Sequence, residues 1–196
     1  MPLFTPSPFC SENDYETMPH QGAKECSIVK FIGDGSGYND YMKETNGASI
    51  TLAIPLVIRN MKVTSIGPRA LQCLEGVYKL NFGDPYALDD SYLKFHIKMI
   101  GSNAFSGCKV LNKVEIPDGV ERIDSEAFSW CTNLELIILP STLKSLGDNV
   151  FKCCEKLKRI EYGGTIESAR RLFQNNIKLL DKVIVQCTDG EFIFHR

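Results

Sequence analysis

The chain is short of nearly every group that carries catalysis. Its 196 residues hold three histidines (His20, His96 and His195) and one tryptophan, and its eight cysteines include no C-x-x-C pair. That argues against a zinc ribbon or a thioredoxin-type site. No run of 18 apolar residues exists, so no transmembrane helix is expected. No sign of charge dominates: 22 Lys and Arg against 24 Asp and Glu leave −2, which gives no electrostatic drive toward nucleic acid or an anionic membrane. There is no N-x-Ser/Thr sequon to hint at a compartment. The opening Met1-Pro-Leu-Phe-Thr-Pro-Ser-Pro-Phe9 lacks a basic and then an apolar stretch, so it does not read as a signal peptide. A cytoplasmic chain and a mature or trimmed one both remain open. What is present is ordinary: 43% hydrophobic and 23% charged residues describe a globular chain of about one domain.

The chain repeats itself. Val114–Leu136 set above Ile137–Arg159 (offset 137 − 114 = 23) places Pro117 on Pro140, Phe128 on Phe151, Cys131 on Cys154 and Leu134 on Leu157. Val114, Ile116, Val120, Ile123 and Ala127 fall on Ile137, Leu139, Leu143, Leu146 and Val150. Upstream, Ile100, Ala104, Phe105, Cys108 and Leu111 keep the register. One unit earlier, Ile66, Ala70, Leu71, Leu74 and Val77 do so after an 11-residue insertion rich in turn formers, around residues 83–96. Counting on by 23 puts Ile160 and Val183 at the strand position. Between them Ala169, Phe173, Ile177 and Leu180 recur at helical spacing, opposite Glu167, Arg170, Arg171, Gln174 and Lys178. That predicts an amphipathic helix where earlier units have a short turn.

Each unit reads as a V-x-I strand stopped by Pro or Gly, a second apolar pair, then A-F-x-x-C-x-x-L at helical or 3-10 spacing. No unit can bury its apolar face alone, so the units must stack into a solenoid. Strands stack about 4.8 Å apart while helical segments need about 8–10 Å, which predicts the strands on the inside of a curve.

The segments IGSNAFSGCKVLNKVEIP, IDSEAFSWCTNLELIILP and LGDNVFKCCEKLKRIEYGG resemble the BspA-like leucine-rich repeat family, whose pattern is roughly I-G-x-x-A-F-x-x-C-x-x-L-x-x-I-x-I-P. The match covers about Ile50 to Arg196, with YGGT and VIVQCTDG similar to the segment that closes such proteins. Leu71, Leu74 and Asp124 depart from it. The resemblance implies an α/β class fold: a right-handed solenoid with parallel strands on a concave face and short helical or 3-10 turns on the convex one. It also implies a secreted or cell-surface adhesion module that binds proteins. An intracellular structural or interaction protein is the alternative.

The domain plan has four parts. Residues 1–24 are a flexible leader. Residues 25–49 cap the N-terminus, with strands near Ile28–Ile32 and Ser49–Ile54 around a glycine-rich loop. Residues 50–163 are the repeats. Residues 164–196 are the terminal helix and a β-hairpin cap, signalled by Asp189-Gly190 between Val183–Cys187 and Phe192–Phe194.

Chemistry is scarce. Gly33-Asp-Gly35-Ser-Gly37-Tyr38 fails the G-x-G-x-x-G spacing at Tyr38, so it reads as a turn rather than a nucleotide loop. Cys108, Cys131 and Cys154 stack at 23 and read as buried free thiols, with a disulfide between adjacent turns the alternative. No motif sets a histidine beside an exposed cysteine. An enzyme using the insertion and His96 is the least favoured reading, and Asp89-Asp90 reads as solvated surface. Trp130 packs on the convex side or serves a contact. No catalytic residue, metal or cofactor is expected.

The strand side chains that point away from the core are the candidate site. One column reads Lys79, Lys113, Leu136, Arg159, Lys182; the next reads Asn81, Glu115, Ile138, Glu161, Ile184. The apolar pair Leu136 and Ile138, ringed by charge, suggests an anchor for a protein or glycan partner, though a merely solvated sheet face would look the same.

Overall fold

The computed structural model describes residues 15–20, 25–31, 50–54, 57–58, 61–73, 77–82 and 97–194. The Gly33–Gly47 loop, the insertion with His96 and Asp89-Asp90, and His195 lie outside them. The described strands are β1 Tyr15–Pro19, β2 Glu25–Phe31, β3 Ile50–Ile54, β4 Val57–Ile58, β5 Met61–Ile66, β6 Val77–Phe82 and β7 Met99–Ile100. They continue with β8 Lys113–Glu115, β9 Arg122–Ile123, β10 Leu136–Leu139, β11 Ser145–Leu146, β12 Arg159–Tyr162, β13 Ile184–Cys187 and β14 Gly190–Ile193. The helix α1 spans Ile166–Leu172, and a 3-10 turn spans Ile177–Leu179.

From β5 to β12, successive strands alternate between two sheets. The first runs β1-β2-β5-β7-β9-β11, with β4 on β5; the second runs β14-β13-β12-β10-β8-β6-β3. Each coil lays one strand parallel onto each sheet and then turns, so a coil has three sides. The V-x-I segments build the second sheet, with Val114, Ile137 and Ile160 buried. The second apolar pair of each unit builds the first: Ile100, Ile123 and Leu146 point inward from strands only two residues long. Pro117 and Pro140 end β8 and β10 because proline has no N–H to offer the ladder.

The third side is the A-F-x-x-C turn. It is hydrogen-bonded coil to coil like a strand: Phe105 N–H donates to the Ala127 carbonyl at 2.8 Å, Gly107 to Ser129 at 2.8 Å and Trp130 to Lys152 at 2.7 Å. The crowding expected of helices on this side, and the curvature argued from it, therefore has no source in these turns. Two residues per turn sit in the left-handed region, for example Asn103 and Gly107, then Glu126 and Trp130, then Asn149 and Cys153. Trp130 is 51% exposed there. Behind them Phe105 and Phe128 stack with ring centroids 5.2 Å apart. Each column cysteine donates to the coil before it: Cys108 to the Leu71 carbonyl (3.4 Å), Cys131 to Phe105 (3.2 Å) and Cys154 to Phe128 (3.1 Å). The thiol thus fills a small apolar slot and also satisfies a carbonyl. All three are free.

The ends differ from the sequence reading in three places. Tyr15–Pro19, expected in a flexible leader, is the antiparallel edge strand β1 on β2. The strands assigned to the N-terminal cap do form, but β2 pairs with β5 in one sheet and β3 with β6 in the other, so they already make a coil. The terminal helix stops at Leu172, and Asn176 begins a separate 3-10 turn that leaves Ile177 36% exposed. Thr165 caps the helix, its hydroxyl accepting from Ser168 N–H at 3.3 Å. The expected hairpin β13–β14 forms, antiparallel from Ile184↔Ile193 to Cys187↔Gly190, but its turn is Thr188-Asp189 and Gly190 already opens β14.

Candidate functional site

The two outward columns are present for most of their length. Lys79 pairs with Lys113, Lys113 with Leu136, and Leu136 with Arg159. One row on, Glu115 pairs with Ile138 and Ile138 with Glu161. Lys79 and Asn81 occupy the matching places in β6, and their side chains lie outside the described residues. The last unit is out of step. Arg159 pairs with Ile184 and Glu161 with Gln186, a spacing of 184 − 159 = 25. Lys182 instead lies before β13 with φ 66°, and Ile184 moves into the column predicted for Lys182. The reason is α1 with its 3-10 turn, which takes two residues more than the turn it replaces. Gln186, not singled out from sequence, thereby joins the second column.

The face is half-buried at Leu136 and Ile138. On one flank Arg159 Nε donates to Glu161 Oε1 at 3.2 Å while its Nη2 donates to Gln186 Oε1 at 3.1 Å. On the other flank Lys113 and Glu115 take part in no ion pair among the described residues. Where the second-sheet strands end, a groove of about 620 Å³ runs across them from β6 to β13. Its lining includes Glu115, Ile138 and Glu161 from the second column, then Asp118, Ser141 and Thr188 beyond the strand ends. Three carboxylates line it and, among the described residues, no Lys, Arg or His does.

The flank of the first sheet is already neutralised. Glu121 lies 2.6 Å from Lys144 Nζ and 3.7 Å from Lys98 Nζ. The Lys144 hydrogen bond and charge hold the Glu121 carboxyl below its usual range. One arrangement that sequence did not foresee lies at β2: His20 Nε2 is 2.8 Å from Ser27 Oγ, which is 2.6 Å from Ser65 Oγ. Both serines are buried, so this nucleophile–base pair gives a substrate carbonyl no approach. Among the described residues no cluster of three His, Cys, Asp or Glu could hold a metal.

The stacked coils with their repeated Phe and Cys match the model of a BspA type leucine-rich repeat region, in six copies, over residues 77–189. The chain belongs to the BspA-type leucine-rich repeat family. Solved structures of leucine-rich repeat proteins share its fold. The T. pallidum protein TpLRR matches with a TM-score of 0.54 and 16% identity over 89% of this chain and 79% of its own. A protein from Bacteroides capillosus matches with 0.56 and 20% over 77% and 95%. The pneumococcal vaccine antigen PcpA matches with 0.52 and 19% over 76% of this chain and 36% of its own. No curated protein matches. Among the described residues no helix is long and apolar enough to cross a membrane.

Proposed function

We propose that this BspA-type repeat is a non-catalytic, adhesion-type binding module that grips a protein partner through the outer face of its second sheet. The observation that carries the reading is Leu136 and Ile138 side by side on β10, facing outward between Lys113 and Glu115 on one strand and Arg159 and Glu161 on the next. Half-buried aliphatics inside a ring of charge can lose water to a partner, while the rim gives orientation. The buried, carbonyl-bonded thiols and the closed His20–Ser27–Ser65 chain are structural, which supports binding over catalysis. Family membership favours an exported or surface location.

The test charges the anchor. Leu136→Lys with Ile138→Asp leaves the inward Ile137 and Leu139 untouched, so folding is retained by circular dichroism. A partner captured by the parent should protect the β10 amides from hydrogen exchange, and the double variant should not retain it. Unchanged capture by a folded double variant would refute this use of the face.

A further inference from the structure

We propose that the groove at the strand ends binds an extended, polyproline-II-type protein segment carrying Lys or Arg at every third residue. The inference rests on the reading of the second-sheet face as a partner site and names the partner's chemistry.

Charge is the first argument. Glu115, Asp118 and Glu161 line the groove and, among the described residues, no Lys, Arg or His does, although Arg159 beside it bonds Glu161 Oε1. Glu115 and Asp118 are exposed, and neither enters an ion pair among the described residues, so their charge is available to a ligand. Spacing is the second. Glu115, Ile138 and Glu161 stand in register on three neighbouring strands. Strands lie about 4.8 Å apart, so the two carboxylates recur about 9.6 Å apart along the groove. A polyproline-II segment rises about 3.1 Å per residue and presents the same side every third residue, about 9.3 Å on. A β-strand repeats its side about every 6.7 Å and a helix advances about 5.4 Å per turn, so both drift out of step.

The middle position fits as well. A cation at one end meets Glu115 and a cation at the other meets the part of Glu161 that Arg159, bonded to its Oε1, leaves open, while the aliphatic stems of those two side chains lie over Ile138. The polyproline-II backbone makes no internal hydrogen bonds and stays solvated, which an open groove permits. From β6 to β13 the groove crosses four strand spacings, about 19 Å, or roughly six residues of such a segment.

The test uses the full chain and fluorescein-labelled peptides of about twelve residues, read by anisotropy at low and physiological salt. One repeats Lys-Pro-Pro, one holds the same residues with the lysines clustered, and one repeats Glu-Pro-Pro. The Lys-Pro-Pro repeat should bind about tenfold tighter than the clustered peptide, as two ion pairs at the surface allow, and Glu115→Gln should weaken it about threefold. Equal affinity for the two lysine arrangements, indifference to Glu115→Gln, or preference for Glu-Pro-Pro would each overturn the proposal. The two readings fail separately. If Leu136→Lys with Ile138→Asp abolishes partner capture while the parent shows no Lys-Pro-Pro preference, the face stands and the basic segment falls. If the double variant keeps its partner, the face itself is wrong.

Discussion

Asn176 closes the last full coil, and replacing it should cost more than any surface residue. In the earlier coils the turn is closed directly: Ala104 N–H donates to the Gly101 carbonyl (3.2 Å) and Ala127 to Asp124 (3.3 Å). At the equivalent place in the last of these coils, a side chain is inserted. Val150 N–H donates to Asn176 Oδ1 at 3.0 Å, and Asn176 Nδ2 donates to the Gly147 carbonyl at 2.9 Å. Val150 and Asn176 are both fully buried. Asn176→Ala would strand one donor and one acceptor, each costing about 1–3 kcal/mol when buried and unsatisfied. With both left unpaired the loss is about 2–6 kcal/mol; a turn that recloses by pairing Val150 N–H with the Gly147 carbonyl satisfies both and leaves about 1–2 kcal/mol for the lost bond and the cavity. Urea unfolding measures it, with exposed Asn175→Ala as a control within about 0.5 kcal/mol. The Val150 amide should also exchange faster in the variant. Asn176→Asp keeps the acceptor, but its carboxylate would face the Gly147 carbonyl. With no donor for that oxygen in a buried site, Asn176→Asp should also destabilise at neutral pH. A loss under about 1 kcal/mol in Asn176→Ala, with the Val150 amide still protected, would refute the clip.

Two further outcomes test the packing. Gly147→Ala should destabilise by about 1–3 kcal/mol, since an added Cβ would meet Ser125 N at 2.3 Å, a backbone atom that cannot swing away; an unchanged urea midpoint would contradict this. Burial pushes the Cys154 thiol up to about 12 and Cys131 well above its usual value, whereas Cys73 is exposed. At pH 8 a thiol reagent should therefore modify Cys73 first and Cys131 only after denaturation. Because the folded thiols hold their protons where unfolded ones ionise, this contribution to stability is present below the ordinary thiol value of 9.0 and is lost as pH rises toward 12. Native modification of Cys131 at the rate of Cys73 would count against the buried column.

The 23-residue register was legible because Phe, Cys and Leu fill fixed slots whose volume tolerates few substitutes. The first sheet was not: β7, β9 and β11 are two residues long, and one inward residue per strand carries no alternation. The register slip at Ile184 escaped because counting by 23 assumes every turn has the same length, and α1 breaks that assumption. Asn176 sits at a helix-spaced gap between Phe173 and Ile177, where Asn is a poor interior residue. That signal marks a stop but not the carbonyl the amide would reach. The strand β1 hid in a proline-rich stretch without apolar alternation, although its partner β2 is the next strand along the chain.

Because the coils touch only their neighbours, the rim on β8, β10 and β12 behaves like a vernier. Duplicating one 69-nucleotide unit between β8 and β10 would move Glu161 one strand further from Glu115, about 4.8 Å, and put a three-residue ligand out of phase. Duplicating two would bring it back into phase with a longer reach. Recombination within such a gene could thus change what it holds in even steps while leaving both end caps as they are.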